Sequence, residues 1–334
     1  MTRIPQNETL VPREYMERLL KASAPERLGD LKTLWEKYQP EFYVADDGAG
    51  IMLSANKKRV VFDQKTMSVY WLLSYAAWRV LDCYSPAVLC ALPPDGLPER
   101  LGLDPRQLPP TYPAGTTIEQ VVRDDRGLAA SESRFEELIY AARTILGAGE
   151  FPQDAWPQDV PFPGAERESL SMQDRATFDL ACMSTAFAFC HEIRHIMYAK
   201  DKNAPSSRPD EELACDCWAR EFLMARLGVY AREQGWDYED ILGKRSIAAA
   251  VGIFVLYESS ERRGDAGNEN YPPLADRMDA TMLKTPLAPH HNFWVFYACV
   301  LLGILRRRGI TPNVTAQNAE ELCALLVDKV RETS

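Results

Sequence analysis

Apolar residues follow their most regular pattern between residues 175 and 200, where no glycine or proline interrupts the chain. They recur there at spacings of three and four, the repeat of a buried helix face, at Leu180, Met183, Phe187, Cys190 and Ile193. Ser171 precedes Asp174 by three residues, the spacing of a capping box. We therefore predict one long, largely buried helix that ends near residue 200.

The N-terminal third has a different pattern, with short apolar runs between turn residues. Residues 12–37 are predicted to be helical. Three strands of a small β-meander are then predicted at residues 42–44, 51–53 and 59–62. An aromatic-rich helix should follow over residues 66–84 and stop before Pro86, because proline disfavours helical backbone in the preceding residue.

Further helices are indicated by periodicity and by capping residues. Ser133 and Glu136 have capping-box spacing and predict a helix from there to about residue 146. Later helices are predicted at residues 240–262, 274–283, 293–307 and 316–331. Two proline-rich stretches, 93–113 and 151–164, should be irregular, and the second could be a linker or a strap along a cleft.

These elements predict a mostly α-helical α+β fold with a small N-terminal sheet. A length of 334 residues allows one large or two medium domains. Residues 1–150 would form an N-terminal α/β region with the sheet and the aromatic helix, and residues 165–334 would form a helical region. The two regions could also form one continuous globular unit.

Polar residues appear abruptly near the end of the long helix, where the chain reads His191, Glu192, Ile193, Arg194, His195. This HExxH string uses two of the four histidines in the chain. Residues four apart share a helix face, so both imidazoles can reach one metal ion, with Glu192 beside its open coordination position. A carboxylate placed there can take a proton from a metal-activated water. Two ordinary core histidines remain the alternative.

A third ligand is predicted on the next helix, which Pro209 should open. Glu212 and Asp216 are again four apart and share a face. We expect Glu212 to bind the metal and Asp216 to accept a hydrogen bond from a ligating histidine, which fixes its tautomer. Glu211 is expected only to favour the helix N-terminus, where acids are stabilising.

HExxH followed on the next helix by Glu-x-x-x-Asp resembles the gluzincin group of zinc metallopeptidases over residues 191–216. Residues 271–277 match more weakly, because this chain has Tyr271 where some gluzincins have histidine. The size, the HEIRH helix and the acidic character are also similar to the Lit-like phage-exclusion peptidases. The resemblance implies zincin-like catalytic helices, bound Zn²⁺, a protein substrate and bacterial antiviral defence. It also implies an edge strand, from residues 42–62, to which a peptide can add.

Peptide hydrolysis at such a site assigns roles to particular side chains. Glu192 would act as general base and pass the proton to the leaving amine. A further donor would stabilise the oxyanion of the transition state. Tyr271 is our candidate for that donor, and Arg277, His290 and His291 stay open as alternatives.

Composition bounds the partners and the compartment. The formal net charge is −10 and no long basic run occurs, which argues against nucleic-acid binding. Eight cysteines without a CxxC pair are typical of a reducing cytosol. The longest apolar run, residues 293–305, is shorter than the roughly 20 residues of a membrane span. The N-terminus lacks the apolar core of a signal peptide, so we expect a cytoplasmic protein.

Two other functions are compatible with the sequence. The chain could be a peptidase that cleaves a transcriptional repressor, although no helix-turn-helix segment with a basic face is evident. It could also be a non-catalytic zinc-binding interaction protein, although Glu192 and the three predicted ligands are all present.

Overall fold

The computed structural model of the chain describes seven ranges of residues: 8–45, 53–93, 116–125, 127–148, 152–163, 166–259 and 266–333. Within these ranges it has twelve α-helices: α1 (Arg13–Ser23), α2 (Leu28–Tyr38), α3 (Gln64–Cys90), α4 (Ile118–Asp124), α5 (Leu128–Gly147), α6 (Met172–Asp201), α7 (Arg208–Met224), α8 (Leu227–Gln234), α9 (Tyr238–Ser259), α10 (Leu274–Thr281), α11 (Asn292–Arg307) and α12 (Ala319–Glu332). Together with a small N-terminal sheet, they confirm the predicted α+β class, mostly α-helical.

In the part of the chain that the structure describes, the sheet has four strands: β1 (Glu8–Leu10), β2 (Glu41–Ala45), β3 (Leu53–Ala55) and β4 (Arg59–Asp63). Their order is β1-β2-β4-β3, with β2 and β4 parallel and both outer pairs antiparallel. The predicted meander is therefore wrong, because β4 inserts between β2 and β3. Parallel pairing sets Phe42 beside Val60, and Phe62 two positions further lies on the same face. All three side chains are buried, which favours this order.

Helix α6 lies at the centre of the fold and matches the predicted long helix. Ser171 Oγ accepts a hydrogen bond from the Asp174 backbone N–H at 3.1 Å, so the predicted N-terminal cap is confirmed. The sheet packs against α6 through Phe189, whose ring centroid lies 5.7 Å from that of Phe42 and 5.2 Å from that of Phe62. This contact fixes the position of the sheet relative to the last turns of α6.

On another side, α6 packs against α9 with very little clearance. A Cβ built on Gly252 would lie 2.7 Å from the Phe187 ring, so only glycine allows this close approach. Most buried hydrophobic side chains form one cluster that runs from Met16 to Val330, and Leu180, Met183 and Ala248 form a second, small cluster. Phe187 and Phe189 both belong to the large cluster, so α6 contributes to the same core as the N-terminal sheet.

Two predicted helix boundaries are wrong for identifiable reasons. Pro86 lies inside α3 rather than ending it. Its neighbours Tyr84 and Val88 are almost completely buried, so packing outweighs the lost hydrogen bond. Helix α5 starts at Leu128 rather than near Ser133, because Asp125 Oδ1 accepts hydrogen bonds from the backbone of residues 127 and 128.

The predicted helix over residues 12–37 is also divided. Helix α1 ends at Ser23, a short 3₁₀ turn follows at Pro25–Arg27, and α2 begins at Leu28. Proline at residue 25 cannot donate the backbone hydrogen bond that a continuous helix would need. Helices α4 and α8 have no counterpart in the sequence prediction.

The second proline-rich stretch is attached to α3. Trp71 Nε1 donates a hydrogen bond to the Pro161 carbonyl at 2.8 Å, and Arg79 forms an ion pair with Asp159. Most of the first stretch, from residue 94 onward, lies outside the described residues. All eight cysteines are free thiols. No helix in the described ranges has the length and apolar character needed to cross a bilayer.

Candidate metal centre

The HExxH residues lie near the C-terminal end of α6, opposite the start of α7. Helix α6 ends where Lys202 adopts a left-handed conformation with φ of 54°. Ser207 Oγ caps α7 by accepting from the Asp210 backbone N–H at 3.2 Å, and Pro209 lies in the first turn as predicted. The short connection between the helices brings the first turns of α7 beside the last turns of α6.

Three side-chain donors converge between these helices. His191 Nε2 lies 3.2 Å from His195 Nε2 and 3.2 Å from Glu212 Oε2, and His195 Nε2 lies 3.4 Å from Glu212 Oε1. A tetrahedral ion with bonds of 2.0–2.2 Å requires its ligand atoms to be about 3.3–3.6 Å apart. The three residues are at most 7% exposed. Their spacing of 3.2–3.4 Å is thus close to that of the ligands of a zinc-sized ion.

Charge around the triangle also favours a divalent cation. Burial opposes the charged form of His191, but Asp216 and Glu212 outweigh burial and raise its pKa to about 10. The carboxylates and guanidinium groups of the pocket are Glu192, Glu211, Glu212, Asp216, Arg208 and Arg277. With all four carboxylates ionised and both histidines neutral, the two guanidinium groups leave two formal negative charges, which one divalent ion would balance.

Cys215 is a further nearby donor, because it forms a buried group with His191 and His195 whose ligand atoms lie within 4.8 Å of one another. Its Sγ contacts His195 Nδ1 at 3.5 Å, however, whereas Nε2 is the nitrogen of that ring that contacts His191 and Glu212. Burial, together with the charges of Glu212 and Asp216, raises the pKa of the thiol far above its ordinary value. Glu212 therefore matches the geometry of a third ligand better than Cys215.

Glu192 lies between α6 and the edge strand β3. Its side chain is buried, and burial raises its pKa above the ordinary value. The Ala55 backbone donates a hydrogen bond that favours the ionised carboxylate. Because β3 is an outer strand of the sheet, the Glu192 carboxylate lies beside the main chain of a sheet edge.

Asp216 fixes the ring of His191 through Nδ1, the nitrogen that does not face the other donors. His191 Nδ1–H donates to Asp216 Oδ1 at 2.8 Å, so Nε2 is the nitrogen without a proton when the ring is neutral, and it is then able to bind a metal. Arg277 on α10 donates to both Asp216 oxygens, at 2.6 and 2.7 Å. Burial opposes ionisation of Asp216, but Arg277 and His191 outweigh it and lower its pKa. Arg277 is thus committed to Asp216.

Two residues at this site were missed by the sequence interpretation. His195 Nδ1–H donates to Glu211 Oε1 at 2.6 Å, so Glu211 does more than favour the helix terminus. Arg208 Nη1 donates to the same Glu211 oxygen at 2.9 Å, and Arg208 Nη2 lies 3.4 Å from Glu212 Oε1. The only sequence signal was spacing, because residues 208, 211 and 212 share one face of the helix.

The other candidate donors occupy different environments. Asn268 Oδ1 accepts from the Tyr271 backbone N–H at 3.1 Å and so holds the turn that carries this tyrosine. Tyr271 lies close enough to Arg208 and Arg277 to interact electrostatically with both guanidinium groups. His291 instead caps α11, where its Nδ1 accepts from the Phe293 backbone, and its ring packs against Gly243 of α9. The neighbouring His290 is exposed.

A family model described as Peptidase U49 matches residues 114–297, just over half of the chain. No curated protein and no solved structure matches this chain. The matched range contains α6, α7, Tyr271 and Arg277, and therefore every residue of the centre except the β3 edge. The chain belongs to the Peptidase U49 family.

Proposed function

We propose that this protein is a zinc-dependent endopeptidase. Its family gives the broader class, a peptidase, which is a hydrolase that acts on a protein substrate. One observation carries the finer assignment: the Nε2 atoms of His191 and His195 and the carboxylate oxygens of Glu212 contact one another at 3.2–3.4 Å, with Glu192 beside them. Two imidazole nitrogens and one carboxylate are the donor set of a catalytic zinc site, which keeps a fourth position open.

Each neighbouring residue has a defined task in this proposal. When bound, zinc would polarise the scissile carbonyl and lower the pKa of a water. Glu192 takes a proton from the attacking water and delivers it to the leaving amine. Asp216 holds His191 in the tautomer that leaves Nε2 available. Tyr271 stabilises the developing oxyanion, and its position near Arg208 and Arg277 supports this role.

The edge strand β3 is the proposed binding site for the substrate main chain. An extended peptide can add to a sheet edge through backbone hydrogen bonds. Ala55 of β3 contacts Glu192, so a peptide paired with this strand would pass beside the base. The substrate is thus an extended segment of a protein, and the enzyme cuts within it.

Metal analysis of the purified protein tests the ligands. We expect about one zinc per chain, lost in His191→Ala/His195→Ala and strongly weakened in Glu212→Ala. Cys215→Ser is the matched control, because it changes the competing donor and should leave zinc content unchanged. Stoichiometric zinc in the double-histidine variant would disprove the site, and loss of zinc in Cys215→Ser alone would move the third ligand to the thiol.

A search for new protein termini in expressing cells tests the activity. Wild type should generate cleavage products, and Glu192→Gln should generate none while keeping its zinc. Because Glu192→Gln preserves size and metal ligands, a difference between the two strains reports proteolysis rather than folding. New termini at equal levels in both strains would refute the assigned base.

We propose further that the enzyme acts in the cytoplasm during bacterial phage defence. Free thiols at all eight cysteines fit a reducing compartment. The phage-defence assignment rests on the resemblance of the HEIRH helix and the acidic character to the Lit-like peptidases. Challenge of expressing bacteria with a phage panel tests it: wild type should protect and Glu192→Gln should not. Equal protection by both would show that proteolysis is not the means of defence.

A further inference from the structure

Arg208 lies on the first turn of α7 and contacts two acids of the metal centre. Its Nη1 donates to Glu211 Oε1 at 2.9 Å, and its Nη2 lies 3.4 Å from Glu212 Oε1. Glu211 Oε1 in turn accepts from His195 Nδ1–H at 2.6 Å. One guanidinium thus contacts a proposed ligand directly and contacts a second ligand, His195, through one carboxylate.

We propose that Arg208 and Glu211 are positioning residues that orient His195 and Glu212 for the metal. The inference rests on the proposed function, since it assigns a role toward the same ion. Glu211 holds the Nδ1–H tautomer of His195, so that Nε2 faces the other donors. Arg208 holds Glu211 in that position and restricts the carboxylate of Glu212. Neither side chain touches the reacting groups.

The symmetry of the centre supports this role. Each proposed histidine ligand donates its Nδ1–H to a carboxylate, His191 to Asp216 and His195 to Glu211. Each of these carboxylates also binds an arginine. An acid that merely favoured a helix N-terminus would point to solvent, but the Glu211 side chain is only 15% exposed.

Each histidine is thus held by an arm of two side chains: the Arg277 arm consists of Arg277 and Asp216, and the Arg208 arm consists of Arg208 and Glu211. The two arms differ in exposure. The Arg277 side chain is 14% exposed, whereas that of Arg208 is 46% exposed. An ion pair with a half-exposed partner is weakened by dissolved salt, and a buried pair is weakened much less. The Arg208 arm should therefore be the one through which ionic strength changes the binding of the metal.

Zinc affinity of the full-length protein tests the proposal, measured by competition with a chromophoric chelator. Glu211→Gln should bind zinc about 10–100-fold more weakly than wild type. Asp210→Asn is the matched control: it removes one negative charge from the same helix turn, and its side chain contacts Ser207 instead of a histidine. Its affinity should equal that of wild type. Arg208→Met should weaken binding, and Arg208→Lys should recover part of the loss.

A second measurement distinguishes positioning from a general effect on folding. The ¹H–¹⁵N signals of the histidine rings report which nitrogen carries the proton, and Glu211→Gln should change those of His195 while those of His191 stay as in wild type. Urea unfolding in EDTA shows whether each variant folds without metal. If Glu211→Gln fails to fold, Arg208→Met, which keeps Glu211, carries the test.

The outcomes separate this inference from the proposed function. Wild type that binds no zinc would overturn the metal centre itself, and this role with it. Zinc binding by wild type with equal affinity in Glu211→Gln and Arg208→Met would overturn only the positioning role. Equal weakening in Asp210→Asn and Glu211→Gln would show a helix-terminus charge effect, and would also overturn it.

Discussion

Replacement of Arg277 by methionine should destabilise the protein by several kcal/mol. Asp216 has no exposed surface, and its oxygens accept from Arg277 at 2.6 and 2.7 Å and from His191 at 2.8 Å. Removal of the guanidinium leaves a buried carboxylate with one partner, which costs about 3–5 kcal/mol. With an unfolding entropy of about 2 cal/mol/K per residue over 334 residues, this equals a fall of roughly 4–7 °C in Tm.

Urea unfolding followed by circular dichroism measures this loss, in EDTA so that metal binding does not contribute. Arg226→Met is the matched control, because Arg226 is 59% exposed and lies 3.4 Å from Asp30, a surface pair that contributes about 0–1 kcal/mol. Asp216→Asn combined with Arg277→Met should cost less than the sum of the two single changes, since both remove one pair. Equal, small losses in Arg277→Met and Arg226→Met would refute the reasoning.

Three further predictions concern the base, an ion pair and helix packing. Glu192→Gln should keep zinc and lower kcat about 100–10,000-fold in a peptidase assay; wild-type turnover would exclude Glu192 as the base. Burial raises the pKa of Asp179, but Arg167 outweighs it and the net shift is downward. The ionised Asp179 therefore stabilises the fold above its ordinary pKa of 3.8, and this stabilisation is lost as pH falls through the pKa of Asp179 in the folded protein. The unfolding free energies of wild type and Asp179→Asn should therefore converge in acid. Gly252→Ala should cost about 1–3 kcal/mol because its methyl group would meet a ring at 2.7 Å, whereas Gly29→Ala, which meets open space, should gain about 0.4–1 kcal/mol; unfolding changes of one sign for both would contradict this.

The fold could be predicted from the sequence where local pattern decides it. Helix α6 was predictable because its apolar repeat and Ser171 cap act within the helix itself. Strand order was not, because it depends on which faces match across the sheet: the pairing of β2 with β4 brings Phe42 and Phe62 onto one buried face. Pro86 shows the same limit, since burial of the residues around it outweighs its intrinsic preference.

Local pattern predicts some residues of the candidate site and not others. The i, i+4 spacing of His191 and His195 depends on helix geometry alone, so the motif could be read directly. The bond between Arg277 and Asp216 joins residues 61 positions apart, and no local spacing encodes it. Glu211 was hidden for a different reason: an acid in a first helical turn is favoured whatever it contacts, so its position could not distinguish a contact with His195 from a role at the helix terminus.

Local spacing and distant contacts therefore do different work at this centre. Spacing on α6 and α7 brings donor atoms within reach of one ion, but a histidine ring still turns freely unless its second nitrogen is held. Here the acids Asp216 and Glu211 hold the two rings, and beside Glu192 and Glu212 they would repel one another without positive charge nearby. Arg277 and Arg208 supply that charge, one from within the fold and one from the surface. The buried Arg277 arm thus ties the position of His191 to α10. The exposed Arg208 arm leaves the orientation of His195 dependent on a side chain that solvent can reach.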